Sequence, residues 1–142
     1  MELVCPHCLS VNRLPDGRLA EGPHCGRCRA ALLVPPFPLT AASFERLIGR
    51  DSLPVVVDFT ASWCMPCRSF APVLAEVAGR YRFQAQFATL DVDRVPHVAE
   101  RYAVRSVPTL LLFHRGLKIA QTAGALSSQD LAHWLKQSLA GL

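Results

Sequence analysis

The sequence predicts an α/β protein, a mixed central sheet flanked by helices, with a small cysteine-rich module in front of it. Three observations carry this. From residue 39 onward, short apolar runs alternate with segments whose apolar residues recur at helical spacing, and such alternation implies crossover units on a central sheet. The last two apolar runs are separated only by a turn around "RG", which adds an antiparallel hairpin to that sheet. The first 34 residues are turn-rich, poor in aromatic side chains, and hold four of the six cysteines. Such a piece is not expected to assemble a core, so something else must hold it.

The elements follow in order. Residues 1–34 form the cysteine-rich module, and "PPFP" at 35–38 reads as a stiff extended linker. The second unit spans 39–142. "TAASFERLIGR" places Phe44, Leu47 and Ile48 on one helical face behind Thr40, a suitable N-cap. "LPVVVDFTA" (53–61) is a β-branched run bounded by Pro54 and reads as a buried strand. "CRSFAPVLAEVAGRY" (67–81) is a helix with Phe70, Val73, Leu74 and Val77 inward and a kink expected at Pro72. "FATLDVD" (87–93) is a strand, and "VPHVAERY" (95–102) a short helix opened by Pro96. "PTLLLFH" (108–114) and "LKIAQTAG" (117–124) form the hairpin. "SSQDLAHWLKQSL" (127–139) closes the chain as an amphipathic helix that takes Trp134 into the core with Leu131, Leu135 and Leu139.

The net charge of +4 is a mild excess without runs, and its longest basic cluster, "RCR" at 27–29, is too small for a nucleic-acid footprint. No apolar run approaches the ~18 residues of a membrane span. The N-terminus "MELVCPHCLS" lacks a charged-then-apolar leader pattern, so the expected location is the cytoplasm.

All six cysteines lie in Cys-x-x-C pairs, a spacing that can chelate a metal or run redox chemistry. A disulfide across so few residues closes almost no loop and is a poor staple, and a reducing compartment fits metal or redox cysteines better. Cys5, Cys8, Cys25 and Cys28 form C-x2-C-x16-C-x2-C, a spacing that suits one four-thiolate Zn²⁺ site. His7 and His24 are surplus to that tetrahedron. The third pair, Cys64 and Cys67, has no second pair to complete a metal site. It follows a buried strand directly and opens a helix, where free amides and the helix dipole favour a thiolate. Pro66 suits an early helical position. The context therefore predicts a redox dithiol. Asp58, an acid inside "VVVDF", is costly to bury unless it has a task or a partner.

"VVVDFTASWCMPCRSFAPVL", followed by "SVPTLLLFHRG" and "TAGALS", resembles the thioredoxin family over residues 39–142. "CPHC…CGRC" resembles the zinc-ribbon-like extension of the zinc-containing bacterial members, the second thioredoxin type. The resemblance implies a disulfide reductase with Cys64 as exposed nucleophile, Cys67 as resolving thiol and Asp58 as carrier of the Cys67 proton. It implies that Pro108 is cis and faces the pair, that Val107 offers its backbone to an extended substrate, and that Trp63, Met65, Pro66, Val107, Gly124 and Ala125 form the contact rim. It further implies a monomer that binds no organic cofactor, is recycled by an NADPH-dependent thioredoxin reductase, and acts on disulfide-containing client proteins. Two positions depart from the family pattern: Met65 stands where Gly is usual, and Thr89 where many members place a lysine beside the buried acid. A different reading of the zinc module is a redox sensor, in which oxidised thiolates eject the metal and change what the protein binds.

Overall fold

The computed structural model describes residues 1–34 and 36–142. Pro35, at the start of the expected linker, lies outside the described residues.

In the N-terminal module two short antiparallel strands, β1 (Glu2–Val4) and β2 (Val11–Arg13), flank the first Cys-x-x-C turn, and a 3₁₀ helix covers Asp16–Glu21. This module does have an apolar nucleus, contrary to expectation. Leu3, Cys5, Cys25 and Leu32 are buried together with Leu53 of the second unit. Successive residues of a strand point to opposite sides, so Val4 enters the main core while Leu3 fills the module's own.

The expected linker is also corrected. Phe37–Pro38 are β3, an edge strand paired in parallel with β5 (Gln86–Asp91). The remaining elements are α1 (Ala41–Arg50), β4 (Val55–Thr60), α2 (Met65–Arg80), α3 (Pro96–Arg101), β6 (Thr109–His114), β7 (Leu117–Ala123) and α4 (Ser128–Leu139). Strand order in the sheet is β3-β5-β4-β6-β7, with β3, β5 and β4 parallel and β6 and β7 antiparallel.

Local chemistry accounts for the ends of the helices. Thr40 and Ser43 form a reciprocal capping box at α1, and Ser127 caps α4 by accepting from Asp130 N. Pro72 sits inside α2, where it has no N–H to give the helical ladder.

The sheet buries both faces. On one, Val57, Phe59, Leu90 and Phe113 meet Phe44 and Leu47 of α1 and Val98 of α3. On the other, Val56, Phe87, Leu110 and Leu112 meet Phe70 and Leu74 of α2 and Leu131 and Leu135 of α4, with Trp134 half-buried beside them. Parallel strands covered on both faces read as near-continuous apolar runs, which is what makes one polar residue in β4 conspicuous.

Candidate functional site

β4 delivers the chain through a short turn to the N-terminus of α2, and Cys64 and Cys67 occupy that junction, joined as a disulfide. Cys64 is the N-cap, and its Sγ accepts the Cys67 N–H at 3.2 Å. A sulfur placed there sees the unpaired amides and positive end of the helix, so a thiolate at Cys64 is favoured. The expected exposure of Cys64 is not observed. In the disulfide form the residue is 4% exposed, because its side chain packs with Ala61, Cys67 and Val107. What lies open are its neighbours, Trp63 at 66% and Met65 at 65%.

The Val107–Pro108 bond is cis, and Cys64 Sγ lies 3.7 Å from the Val107 carbonyl oxygen. Gly124 donates its N–H to Pro108 O at 2.8 Å, which brings the end of β7 alongside. Gly124 adopts φ +96°, a conformation that suits glycine. Pro66, Gly124 and Ala125 are exposed and Val107 half-buried. Nothing in the spacing singles out Asp93, yet its Oδ2 accepts the Trp63 indole N–H at 2.9 Å and fixes the ring.

Asp58 is the buried polar residue of β4, 3% exposed, and its Oδ1 has no hydrogen-bond partner among the described residues. Burial alone pushes its carboxyl up to about 7. It shares the sheet face of Val56, under α2. In register it faces Leu110 on β6 and Thr89 on β5, so its neighbour on β5 is a hydroxyl and not a cation. Thr60 and Thr89 open onto a cavity of about 510 Å³ at the β5 edge, also lined by Asp91 and Arg94.

In the N-terminal module, the Sγ atoms of Cys5, Cys8, Cys25 and Cys28 all lie within 4.8 Å of one another. Cys5 and Cys28 are separated by 3.5 Å and Cys8 and Cys25 by 3.6 Å. Tetrahedral Zn²⁺ with bonds of about 2.3 Å places its sulfurs about 3.8 Å apart, so the donor set and its size fit zinc. Neither His7 nor His24 joins this cluster.

Asp51, which the sequence pattern leaves unmarked, ties the two units together. Its Oδ2 accepts from Val4 N at 3.0 Å and from Gln86 Nε2 at 3.4 Å, while Oδ1 accepts from Leu53 N at 3.0 Å. Ser52 pairs with Glu2 beside it. Despite these bonds, burial raises the Asp51 carboxyl to about 6.

The family model for thioredoxin matches residues 35–137, and the model for the N-terminal zinc ribbon of thioredoxin 2 matches residues 4–30. Thioredoxin C-3 of Corynebacterium nephridii is 39% identical over 140 residues, spanning 98% of this chain and 96% of its own. A thioredoxin of Acidithiobacillus ferridurans is 42% identical over 97 residues, or 68% of this chain and 90% of its own. Thioredoxin 1 of Synechococcus elongatus is 40% identical over 101 residues, or 71% and 94%. With one relative aligned along nearly its whole length and a family match across the dithiol unit, this chain belongs to the thioredoxin family of thiol–disulfide oxidoreductases.

Proposed function

We propose that the protein reduces disulfides of client proteins in the cytoplasm through the Cys64–Cys67 dithiol, with Asp58 and Pro108 completing the catalytic site. The observation that carries this reading is the position of the pair: a disulfide at the N-terminus of α2, against cis Pro108, on a strand that buries an unpartnered carboxyl. The Cys64 thiolate attacks one sulfur of a client disulfide, forming a mixed disulfide and expelling a client thiolate. Cys67 gives its proton to Asp58 and attacks Cys64 Sγ, which releases the second client thiolate. Two electrons have passed to the client, and the bonded pair remains. A carboxyl titrating at about 7 can take and return a proton at neutral pH.

The exposed Trp63, Met65 and Pro66, with Val107, Gly124 and Ala125, form the rim that receives the client. An extended client segment would lie along the Val107 backbone. An NADPH-dependent thioredoxin reductase restores the dithiol. Residues 1–34 act as a zinc module holding one ion at Cys5, Cys8, Cys25 and Cys28, and residues 39–142 as the catalytic unit, the whole working as a monomer. Cys8 and Cys28, residues that are only partly buried, support a second role for the module, as a redox-sensitive regulator of the reductase. Neither a nucleic acid nor a membrane is a partner in this reading, and no helix among the described residues is long and apolar enough to cross a membrane.

The test is NADPH-coupled reduction of insulin disulfides with thioredoxin reductase, comparing wild type with Cys64→Ser. Turnover that vanishes in the variant supports the assignment. A wild-type protein that is folded, zinc-loaded and inert would refute it.

A further inference from the structure

The two Cys-x-x-C turns of the zinc module are near-copies of each other. In each, the first cysteine donates its N–H to the carbonyl five residues on, Cys5 to Ser10 O at 2.9 Å and Cys25 to Ala30 O at 2.7 Å. In each, the residue after the second cysteine stands at positive φ, 65° at Leu9 and 70° at Arg29. Each also returns an N–H to the first cysteine's carbonyl at 2.9 Å. The first sulfur of each turn receives two backbone N–H groups: His7 and Cys8 onto Cys5, and Arg27 and Cys28 onto Cys25, all at 3.4–3.5 Å.

The copies differ at two side chains. Ser10 in the first turn corresponds to Ala30 in the second, and Asn12 corresponds to Leu32. The Ser10 hydroxyl lies 3.0 Å from Cys8 Sγ and 3.2 Å from Cys25 Sγ. The Asn12 amide donates to Cys25 Sγ at 3.5 Å, held in place because Asn12 Oδ1 accepts from Gly26 N at 2.9 Å. Cys5 and Cys28 face each other at 3.5 Å with no side-chain donor from outside the four-cysteine cluster among the described residues. Access divides the four differently, since Cys5 and Cys25 are buried while Cys8 and Cys28 are half-exposed. Cys28 alone is both reachable and without such a donor.

A hydrogen bond to an ionised sulfur draws off electron density and lowers its nucleophilicity. We propose that Cys28 is where hydroperoxides first oxidise the zinc module, with Ser10 and Asn12 shielding the Cys8–Cys25 edge. This rests on the zinc-bound reading above. The Cys28 thiolate attacks one oxygen of the hydroperoxide, becoming a sulfenic acid as hydroxide or alkoxide leaves. Cys5 thiolate then attacks the Cys28 sulfur across 3.5 Å, expelling hydroxide and closing a Cys5–Cys28 disulfide. The two sulfurs lose two electrons to the peroxide, and the metal keeps only Cys8 and Cys25.

The test uses the full zinc-loaded chain with Cys64 and Cys67 already oxidised, so that this pair consumes no peroxide. Zinc release after hydrogen peroxide is followed with a chromogenic chelator, and the earliest product is mapped as non-reduced peptides. The wild type should give Cys5–Cys28 first. Ser10→Ala makes the two edges more alike, so release should rise about twofold, with Cys8–Cys25 now appearing alongside. Ala30→Ser supplies the missing hydroxyl and should slow release by roughly tenfold, the lower end of what such supporting groups contribute at metal sites. A first disulfide at Cys8–Cys25 or within one turn, or an Ala30→Ser protein that releases zinc at the wild-type rate, would overturn the proposal. Purified protein without stoichiometric zinc would instead remove the reading beneath it, and metal analysis shows this before peroxide is added.

Discussion

Replacing Asp58 by Asn removes a charge from the core while keeping nearly the same shape, so it isolates what ionisation costs. In the folded protein the carboxyl titrates at about 7 because it is buried and unpartnered; in the unfolded chain it titrates near 3.8. Between those values the folded state holds a proton that the unfolded state has released, so wild-type stability falls as pH rises through this window. Below about pH 4 the group is neutral in both states and contributes no such loss. Above about pH 7 the loss is complete. At 1.36 kcal/mol for each pH unit, it amounts to about 4 kcal/mol. The variant lacks this term, and every other carboxyl, Asp51 included, is common to both proteins and cancels in the difference. Guanidinium denaturation of the oxidised proteins should therefore show near-equal stability at pH 4. The advantage of Asp58→Asn should grow to about 4 kcal/mol by pH 8. A difference that stays flat from pH 4 to 8 would show that the carboxyl is solvated in the folded state, and the proton-carrier role would lose its physical basis.

Two further outcomes follow from the same geometry. Thr89→Lys places a cation in register with Asp58, with the adjoining cavity to take the longer side chain. An opposite charge within ~4–6 Å lowers a carboxyl by about 1–3 pH units. The upper edge of the stability-loss window should move down accordingly and the loss itself shrink, with the carboxyl followed by NMR titration. Asp51→Ala leaves the N–H groups of Val4 and Leu53 without their acceptor. At about 1–3 kcal/mol for each buried unsatisfied group, a loss of about 2–6 kcal/mol is expected, with amide exchange rising first at Val4 and Leu53.

From Thr40 onward the elements were legible because β4, β5 and β6 are mainly apolar runs, β7 follows β6 across a tight turn, and each helix repeats its apolar face. β1, β2 and β3 were not, since two or three residues are too few to show a period. The prolines in and before β3 also point to a connector. The dithiol was legible from its place between strand and helix, and Asp58 from being an acid in a buried strand. Asp51 was hidden because its value comes from Val4, 47 residues away. Ser10 and Asn12 carry a fainter signal, visible only when the two Cys-x-x-C turns are laid over each other and Ala30 and Leu32 fail to match.

The proline at the sheet edge has a consequence for self-association. Leu39 N points inward to Thr89 O, and N–H directions alternate along a strand, so the nitrogen of Pro38 points outward. That position would otherwise present a donor to any passing strand, and proline has none to offer. β3 is only two residues long, and its outer side is poor in free donors. On this side the sheet stops growing at the chain's own border, which guards a protein that must expose apolar side chains elsewhere against edge-to-edge aggregation.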